Sequence, residues 1–239
     1  MSHAVSIENY CYTYADKSVG LDDISLDIPA GQKVAIVGAN GSGKSTLLLA
    51  MGGFIKGAGK ITIDGVESNS KNLKQIRSTI GSVLQNPDEQ LFMPTLFEDV
   101  AFGPQNMGFE FDKVHDITHQ AIDTVGLTGM ESKAPHHLSA GQKRSAAIAT
   151  ILSMDPEIIT MDEPDTSLDP ASRKKLASLM ATLRQTLIIA TCNMNFAADV
   201  SNRCILIAKG KVVADGMPKD ILTDKGLMEQ NGLETVRFD

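Results

Sequence analysis

Tryptophan is absent from this 239-residue chain, aromatic residues make up only 5% of it, and cysteines number three. The cysteines, Cys11, Cys192 and Cys204, are an odd and scattered set, which indicates no disulfide framework and favours a reducing compartment. No apolar run approaches the roughly 18 residues that a membrane-spanning helix needs. The first residues also lack the basic start and apolar stretch of a signal peptide. We therefore expect a soluble, cytoplasmic protein.

Basic residues are in the minority, with 22 Lys and Arg against 29 Asp and Glu, and the net charge is −7. A negative surface repels phosphate backbones, so the charge argues against a nucleic-acid partner. It leaves docking onto a membrane protein open. The length suits one large domain or two small ones, and the apolar content of 42% is ordinary for a globular protein.

The most informative stretch that is present is glycine-rich, Gly-Ala-Asn-Gly-Ser-Gly-Lys-Ser-Thr at residues 38–46. An apolar strand pattern at 34–37 precedes it, and a helix pattern follows from residue 47. Backbone N–H groups at such a helix N-terminus bind phosphate oxygens, and the spacing matches the phosphate-binding loop G-x-x-x-x-G-K-[ST]. We expect Lys44 to reach the β- and γ-phosphates of a nucleotide and Ser45 to bind Mg²⁺. The candidate binding residues are Gly38, Asn40, Gly41, Ser42, Gly43, Lys44, Ser45 and Thr46.

The rest of the chain alternates between strand and helix patterns. Half-buried strands are predicted at 4–14 and 21–28, and further strands at 60–65, 80–84, 158–161, 187–190, 204–207 and 212–214. Helical spacing is present at 72–78, 97–102, 114–125, 171–183 and 193–201. Alternation of this kind predicts an α/β core with a largely parallel sheet, with the ligand at the carboxyl ends of its strands.

Two adjacent carboxylates, Asp162 and Glu163, end one of the apolar strand patterns. An enzyme with a phosphate-binding loop needs an acid at such a strand end to hold Mg²⁺, which makes Asp162 the candidate. Glu163 follows directly, where it could orient or deprotonate an attacking water. A capping acid in a solvated turn is the alternative interpretation of the pair.

Leu-Ser-Ala-Gly-Gln at residues 138–142 precedes another helix, and Ser139 is suited to cap it. This run resembles the LSGGQ signature of ABC-type ATPases, with Ala140 replacing the first glycine. The resemblance implies a P-loop NTPase fold of the α/β class, with a mainly parallel sheet, an antiparallel β subdomain and an inserted helical subdomain. It implies one domain over 1–239, with the core at about 1–89 and 151–239 and the helical subdomain at about 90–150. The signature residues Leu138, Ser139, Ala140, Gly141 and Gln142 would touch ATP held by a partner subunit.

Other positions match the ABC family in the same order along the chain. The resemblance assigns Tyr14 to stacking on adenine, with Tyr12 as a rival, and Gln85 to the Q-loop glutamine that contacts Mg²⁺ or the attacking water. It places the D-loop at Ser167, Leu168 and Asp169. The implied cofactors are ATP and Mg²⁺, the metal being held by Ser45, Gln85 and Asp162, and the implied activity is ATP hydrolysis coupled to transport.

Within the family, the run Gln-Asn-Pro-Asp-Glu-Gln-Leu-Phe at 85–92 is similar to energy-coupling-factor ATPases, as is Asp-Val-Ala-Phe-Gly-Pro at 99–104. Members of that branch power uptake of cobalt, nickel, biotin and other vitamins. The implied partners are a second ATPase subunit, identical or different, a transmembrane energy-coupling component and a substrate-binding membrane component. The implied location is the cytoplasmic face of the cell membrane.

The chain departs from the family pattern after the strand at 187–190. The family has Thr-His-Asp there, and this chain has Thr191, Cys192 and Asn193. A thiol is a weak hydrogen-bond donor and cannot supply a cationic ring. We therefore expect an intact ATP site with slowed hydrolysis, or a degenerate site paired with a competent one in a heterodimer. A redox-sensing role for Cys192 is a third interpretation.

Two alternatives remain open at this point. A soluble ABC protein of translation or DNA repair is disfavoured because the chain has a single cassette and no long coiled-coil insertion. His115 and His119 lie i, i+4 on a predicted helix and could bind a metal, although a solvated helix face is the favoured interpretation.

Overall fold

Two sheets of different character account for the strand patterns. The computed structural model describes residues 3–238. The strands are β1 (His3–Thr13), β2 (Val19–Pro29), β3 (Lys33–Val37), β4 (Ala58–Ile63), β5 (Val66–Glu67), β6 (Ile80–Val83), β7 (Ile158–Asp162), β8 (Thr186–Thr191), β9 (Arg203–Ala208) and β10 (Lys211–Gly216). The helices are α1 (Lys44–Met51), α2 (Leu73–Thr79), α3 (Leu96–Asn106), α4 (Phe111–Thr124), α5 (Ala140–Leu152), α6 (Pro170–Thr182), α7 (Met194–Val200), α8 (Pro218–Leu222) and α9 (Lys225–Gln230).

The larger sheet has the strand order β10-β9-β3-β8-β7-β6, and all its pairings are parallel except that of the edge strand β10 with β9. The smaller sheet, β2-β1-β4-β5, is antiparallel throughout. The predicted α/β class, with a mainly parallel core sheet and a separate antiparallel sheet, is confirmed. Strands β3, β8 and β7 are neighbours and run parallel. The loops that follow them therefore emerge side by side at the carboxyl end of the sheet.

Helix α1 lies between the two sheets. Its sequence, Lys-Ser-Thr-Leu-Leu-Leu-Ala-Met, has no polar face beyond its first turn, which is typical of a helix buried over most of its surface, and only Ser45 and Leu49 are exposed. Leu47 and Met51 are fully buried in one cluster with side chains of both sheets, including Ile7, Ile24 and Ile36. The phosphate-loop helix is therefore anchored by the largest apolar cluster, which holds its N-terminus in place.

Helices α3, α4 and α5 enclose a separate apolar cluster, with Leu96, Val100, Ile122 and Ala146 at its centre. The opposite face of α5 packs with Ile148 and Ile151 against strands of the main sheet. Helix α5 thus joins the helical layer to the core. We keep the subdomain limits near residues 90 and 150 as a proposal.

The sequence patterns missed some elements and placed others slightly differently. Helix α3 continues to Asn106 and α4 begins at Phe111, whereas the patterns indicated only 97–102 and 114–125. The short strand β5, the helices α8 and α9, and 3₁₀ turns at Pro87–Glu89 and Pro135–His137 have too few residues for a periodic signal. Within residues 3–238, no helix combines the length and the apolar character that crossing a bilayer requires.

Candidate active site

The glycine-rich loop lies between β3 and α1, as the sequence predicts. Gly43 caps the helix with φ of 113°, a left-handed conformation that disfavours any side chain. A Cβ there would also lie 2.7 Å from the carbonyl oxygen of Gly20. The backbone at Gly43 therefore approaches its neighbours too closely for a residue other than glycine, and Gly41 and Gly43 line the cavity beside the start of α1.

Lys44 is only 5% exposed, and protein groups satisfy its ammonium. Its Nζ donates to the carbonyl oxygens of Gly38 at 2.9 Å and Ala39 at 3.2 Å. It also forms an ion pair with Glu163 Oε1 at 3.5 Å, within which both side chains are nearly fully buried. Lys44 and Glu163 thus meet at the carboxyl end of the sheet, although they are 119 positions apart in the sequence.

The strand β7 ends at Asp162, and the chain turns sharply after it. Glu163 has φ of 45°, a left-handed conformation that costs on the order of 1–3 kcal/mol in a residue other than glycine. Its N–H donates to the carbonyl oxygen of Ala190 on β8 at 2.8 Å, which holds the turn. This conformation turns the Glu163 side chain toward Lys44.

Asp162 has the environment of a metal ligand. Burial raises the pKa of its carboxyl group, whereas a hydrogen bond from Ser45 lowers it. Its Oδ1 is buried with no hydrogen-bond partner within the described residues. A hydroxyl, a carboxylate and the amide oxygen of Gln85 are the hard oxygen donors that Mg²⁺ prefers, so the predicted set Ser45, Gln85 and Asp162 fits this cation.

A cavity of about 450 Å³ brings together most of the sequence-predicted residues, although they come from four separate segments. It is lined by Tyr14, Asn40, Gly41, Gly43, Lys44, Ser45, Thr46, Gln85 and Glu163, with Ser18, Val19 and Gly20. Gly38 and Ser42 belong to the same loop, and Ser42 Oγ is buried without a partner within residues 3–238. A second cavity of about 480 Å³ adjoins the first at Asn40 and contains Cys192.

Tyr14 projects into the first cavity and is tied to the phosphate loop. Its hydroxyl is 2.6 Å from Thr46 Oγ1, and its ring contacts Tyr12 edge-to-face at 5.0 Å between centroids. Tyr12, the rival candidate for stacking, does not line the cavity.

Cys192 is held close to Glu163. Its backbone N–H donates to Glu163 Oε2 at 3.1 Å. Although the residue as a whole is exposed, partial burial of the thiol, the Glu163 charge and a hydrogen bond to Glu163 raise the thiol's pKa. The sulfur therefore stays a neutral thiol at pH 7, unlike the thiolate of a reactive cysteine.

The signature residues lie away from both cavities. Ser139 caps α5 in a reciprocal arrangement in which its Oγ accepts from Gln142 N–H and Gln142 Oε1 accepts from Ser139 N–H. Ser139 and Ala140 are exposed, and Leu138 alone is buried. Gly141 lies against Ser172, beside the N-cap Asp169 that follows Ser167 and Leu168, so the signature and D-loop segments are neighbours on one surface.

Sequence reasoning gave no role to several residues that support the site. Arg144 is 3% exposed and donates to the carbonyl oxygens of Leu84 and Gln85, both at 2.7 Å. Gln90 accepts from Leu84 N–H and donates to Ala147 O and Thr150 Oγ1. No periodicity could have indicated the contacts with α5, because they join segments about 60 residues apart.

The predicted alternative at His115 and His119 finds no support. Their rings lie 4.4 Å apart and both are about half exposed. Between His3 and Phe238, no group of three or more His, Cys, Asp or Glu side chains is arranged to hold a metal ion.

Known proteins share both the sequence and the fold. The ABC transporter family model matches residues 21–166. The chain is similar to the energy-coupling factor transporter ATP-binding protein EcfA of Carboxydothermus hydrogenoformans, with 40% identity over 98% of this chain and 88% of that protein.

Two solved structures are similar over most of their length. The structure of cbiO1 from Clostridium perfringens, part of the ABC transporter complex cbiONQ, has a TM-score of 0.87 at 32% identity and covers 96% of this chain and 94% of that one. The ATP-binding cassette MJ0796, dimeric and bound to ADP and Pi, has a TM-score of 0.80 at 27% identity over 90% of this chain and 98% of that one.

The contact of Tyr14 with Thr46 leads to a prediction about ATP affinity. A nucleotide whose phosphates occupy the loop competes with Tyr14 for the Thr46 hydroxyl, so that this hydrogen bond opposes binding. Tyr14→Phe keeps the ring and removes the bond, and ATP should bind about two- to tenfold more tightly. Equilibrium dialysis with labelled ATP measures this, with Tyr12→Phe as the matched control. Weaker binding by Tyr14→Phe would mean that the hydroxyl instead contributes to the bound state.

Proposed function

The chain belongs to the ABC transporter family of ATP-binding proteins, and from that premise we propose that it is the ATPase subunit of an energy-coupling-factor importer. The observation that carries the proposal is the convergence of Lys44, Ser45, Gln85 and Glu163 on one cavity, with Asp162 next to Glu163 at the end of β7 and Ser45 lowering the pKa of Asp162. Cobalt or nickel ions, or a vitamin such as biotin, are the proposed cargo classes.

The loop residues 38–46 bind the phosphates of ATP through backbone N–H groups, and Lys44 contributes the main cationic contact. When ATP binds, its phosphates compete with Glu163 and with the carbonyl oxygens of Gly38 and Ala39 for the Lys44 ammonium. Glu163 Oε1 is thereby released from its ion pair. Ser45, Asp162 and Gln85 would hold Mg²⁺, which neutralises charge on the phosphate oxygens when bound.

Hydrolysis then depends on a positioned water. Glu163 accepts a proton from the water as it attacks the γ-phosphorus, the bond to the β-phosphate oxygen breaks, and ADP and phosphate result. The N–H of Cys192 holds the other carboxylate oxygen, Oε2, at 3.1 Å, so that Oε1 alone is free to turn toward the water.

Glu163→Gln tests this assignment. The amide keeps the shape of the side chain but cannot take up the proton, so ATP should bind as before while turnover falls by about a hundredfold or more. Because the nucleotide survives, gel filtration with ATP should also find an accumulated dimer. Turnover at the wild-type rate in this variant would remove Glu163 as the base.

The exposed position of the signature residues supports a dimer of ATPase subunits. Ser139 caps the N-terminus of α5, and the first turn of that helix presents N–H groups that suit a phosphate. Neither the cavity at the phosphate loop nor the one that adjoins it includes these residues, so we assign the ATP that they contact to a second ATPase subunit. The structural relative MJ0796 is a dimer bound to ADP and Pi, which supports such an arrangement.

An apolar groove supports docking onto a membrane protein. It has a volume of about 870 Å³ and lies where the helical layer meets the core, beside the segment that follows Gln85. Phe92 and Phe102 contact each other edge-to-face in its wall, and Phe54 and Met107 extend it. Exposed aromatic and methionine side chains clustered in this way suit an interaction site. We propose that a helix of the transmembrane energy-coupling component occupies the groove, with the chain on the cytoplasmic face of the membrane beside the substrate-binding component.

Phe92→Asp tests the docking surface. A charge in the groove wall should abolish co-purification with the hydrophobic membrane subunits from detergent extracts, because the carboxylate loses its water on docking. ATP binding by the isolated chain should not change. Phe111→Asp is the matched control, since Phe111 is 78% exposed and lies outside the groove. Equal loss in both variants, or in neither, would contradict the assignment.

The cysteine at position 192 supports slower ATP hydrolysis at an intact ATP site. The neutral thiol offers one weak donor where the family has a histidine, and it carries no positive charge toward the γ-phosphate. Lys44, Ser45, Gln85 and Glu163 are all in place, so binding need not suffer. A degenerate subunit in a heterodimer with a competent ATPase follows naturally from such a site.

Cys192→His should raise the maximal rate with little change in ATP affinity, the pattern of an interaction made mainly in the transition state. The gain approaches the order of 10²-fold if the ring reaches the γ-phosphate. Steady-state turnover of the wild type, the single variant and the variant with Asn193→Asp added would be compared in purified dimers. If the wild type is already as fast, another group performs the histidine's work.

A further inference from the structure

A third carboxylate follows the Asp-Glu pair, and the proposed mechanism leaves it unused. Asp165 comes three residues after Asp162 and is only 4% exposed. Burying a carboxylate is costly unless hydrogen bonds and charges compensate it. The position of Asp165 therefore requires a structural or functional reason.

The contacts of Asp165 lead to the neighbouring strand. Its Oδ1 accepts a hydrogen bond of 2.8 Å from the hydroxyl of Thr191, the last residue of β8, which is fully buried. The Thr191 oxygen in turn accepts from the N–H of Asn193 at 3.0 Å. The same hydroxyl thus donates to Asp165 and accepts from the residue two positions on, which fixes the loop on both sides of Cys192.

That loop is what holds Glu163. The N–H of Cys192 donates to Glu163 Oε2, and the N–H of Glu163 donates to the carbonyl of Ala190. Both bonds use backbone groups, so neither depends on which side chain residue 192 carries. These two contacts therefore follow the position of the loop backbone, and they act beside the Lys44 ion pair and the contact of the Cys192 thiol with Glu163.

We propose that Asp165 is a positioning residue: through the Thr191 hydroxyl it holds the 191–193 loop so that the Cys192 N–H orients the Glu163 carboxylate. The inference rests on the proposed role of Glu163 as base. A charged acceptor makes a stronger hydrogen bond than a neutral one, which suits a contact that must hold a loop. The Arg173 Nε lies 3.9 Å from the other oxygen, Oδ2, and the Arg144 guanidinium also faces this cluster of carboxylates.

The proposal accounts for a site that retains its base beside a cysteine. Because Asp165 holds the loop through the Thr191 hydroxyl, Glu163 keeps its position although residue 192 is cysteine rather than the histidine of the family. What Cys192 removes is the donor to the γ-phosphate, and what Asp165 preserves is the alignment of the base.

Thr191→Val and Thr191→Ser form a matched pair for the test. Valine has the shape of threonine without the hydroxyl, and serine keeps the hydroxyl. We expect Thr191→Val to lower kcat by about ten- to a hundredfold, with KM for ATP changed less than about twofold, because the lost bond acts on the base alone. Thr191→Ser should keep most of the activity. Equal kcat in the two variants would overturn the proposal.

The Glu163→Gln background distinguishes the proposed positioning role of Asp165 from the proposed role of Glu163 as the base. If the loop acts through Glu163, adding Thr191→Val to Glu163→Gln should leave the residual single-turnover rate unchanged. A further fall by the same factor as in the wild-type background would show that Asp165 and Thr191 act elsewhere. A wild-type rate for Glu163→Gln alone would instead reject the base, whatever the Thr191 variants do.

Asp165→Asn provides a second variant should Thr191→Val fail to fold. It retains the acceptor oxygen and removes the charge, so kcat should fall less than in Thr191→Val while KM stays the same. Thermal melting of each variant shows whether it is folded at the assay temperature. An unchanged kcat in folded Asp165→Asn together with a KM effect would also contradict a positioning role.

Discussion

Compensation of buried charge is the constraint on which the site depends. Glu163 and Asp165 are almost completely buried at the end of β7, Lys44 and Arg144 are equally buried, and none of the four could be there alone. Lys44 faces Glu163 directly, while burial lowers the pKa of Arg144 and the charges of Asp165 and Asp162 oppose that shift. The charges compensate one another only when the phosphate loop, β7 and α5 are packed together. The cluster therefore connects the nucleotide cavity to both the core and the helical layer.

Helix α5 extends this connection from the site to two surfaces. Its first turn carries the exposed signature, and Arg144 one turn later holds the carbonyl oxygens of Leu84 and Gln85. Gln90, in the wall of the apolar groove, bonds both to Leu84 and to the middle of α5. A continuous set of hydrogen bonds thus joins the groove wall, the backbone at Gln85 and the helix that carries the signature.

The phosphate loop, the elements flanking it and the Asp-Glu pair could be read from sequence because their chemistry is local. The proposed phosphate binding by 38–46 would use consecutive backbone N–H groups at one helix N-terminus, so the spacing of the glycines and Lys44 is enough to predict the site. Hydrophobic periodicity likewise located the strands of the main sheet and most helices. The departure at Cys192 was visible too, since the resemblance specifies one residue type at one position.

The contacts that make these parts into one site were decided by tertiary structure. The bond of Asp165 to Thr191 spans 26 residues and that of Arg144 to Leu84 spans 60, and both exist only because β7 pairs with β8 and α5 packs beside β6. Strand order follows from how the whole core packs, and no local pattern records it. Asp165 and Arg144 are for that reason indistinguishable, in sequence, from solvated turn and helix residues. Sequence alone determined which groups the protein has for binding ATP, and the packing of the sheet determined which buried charges face each other.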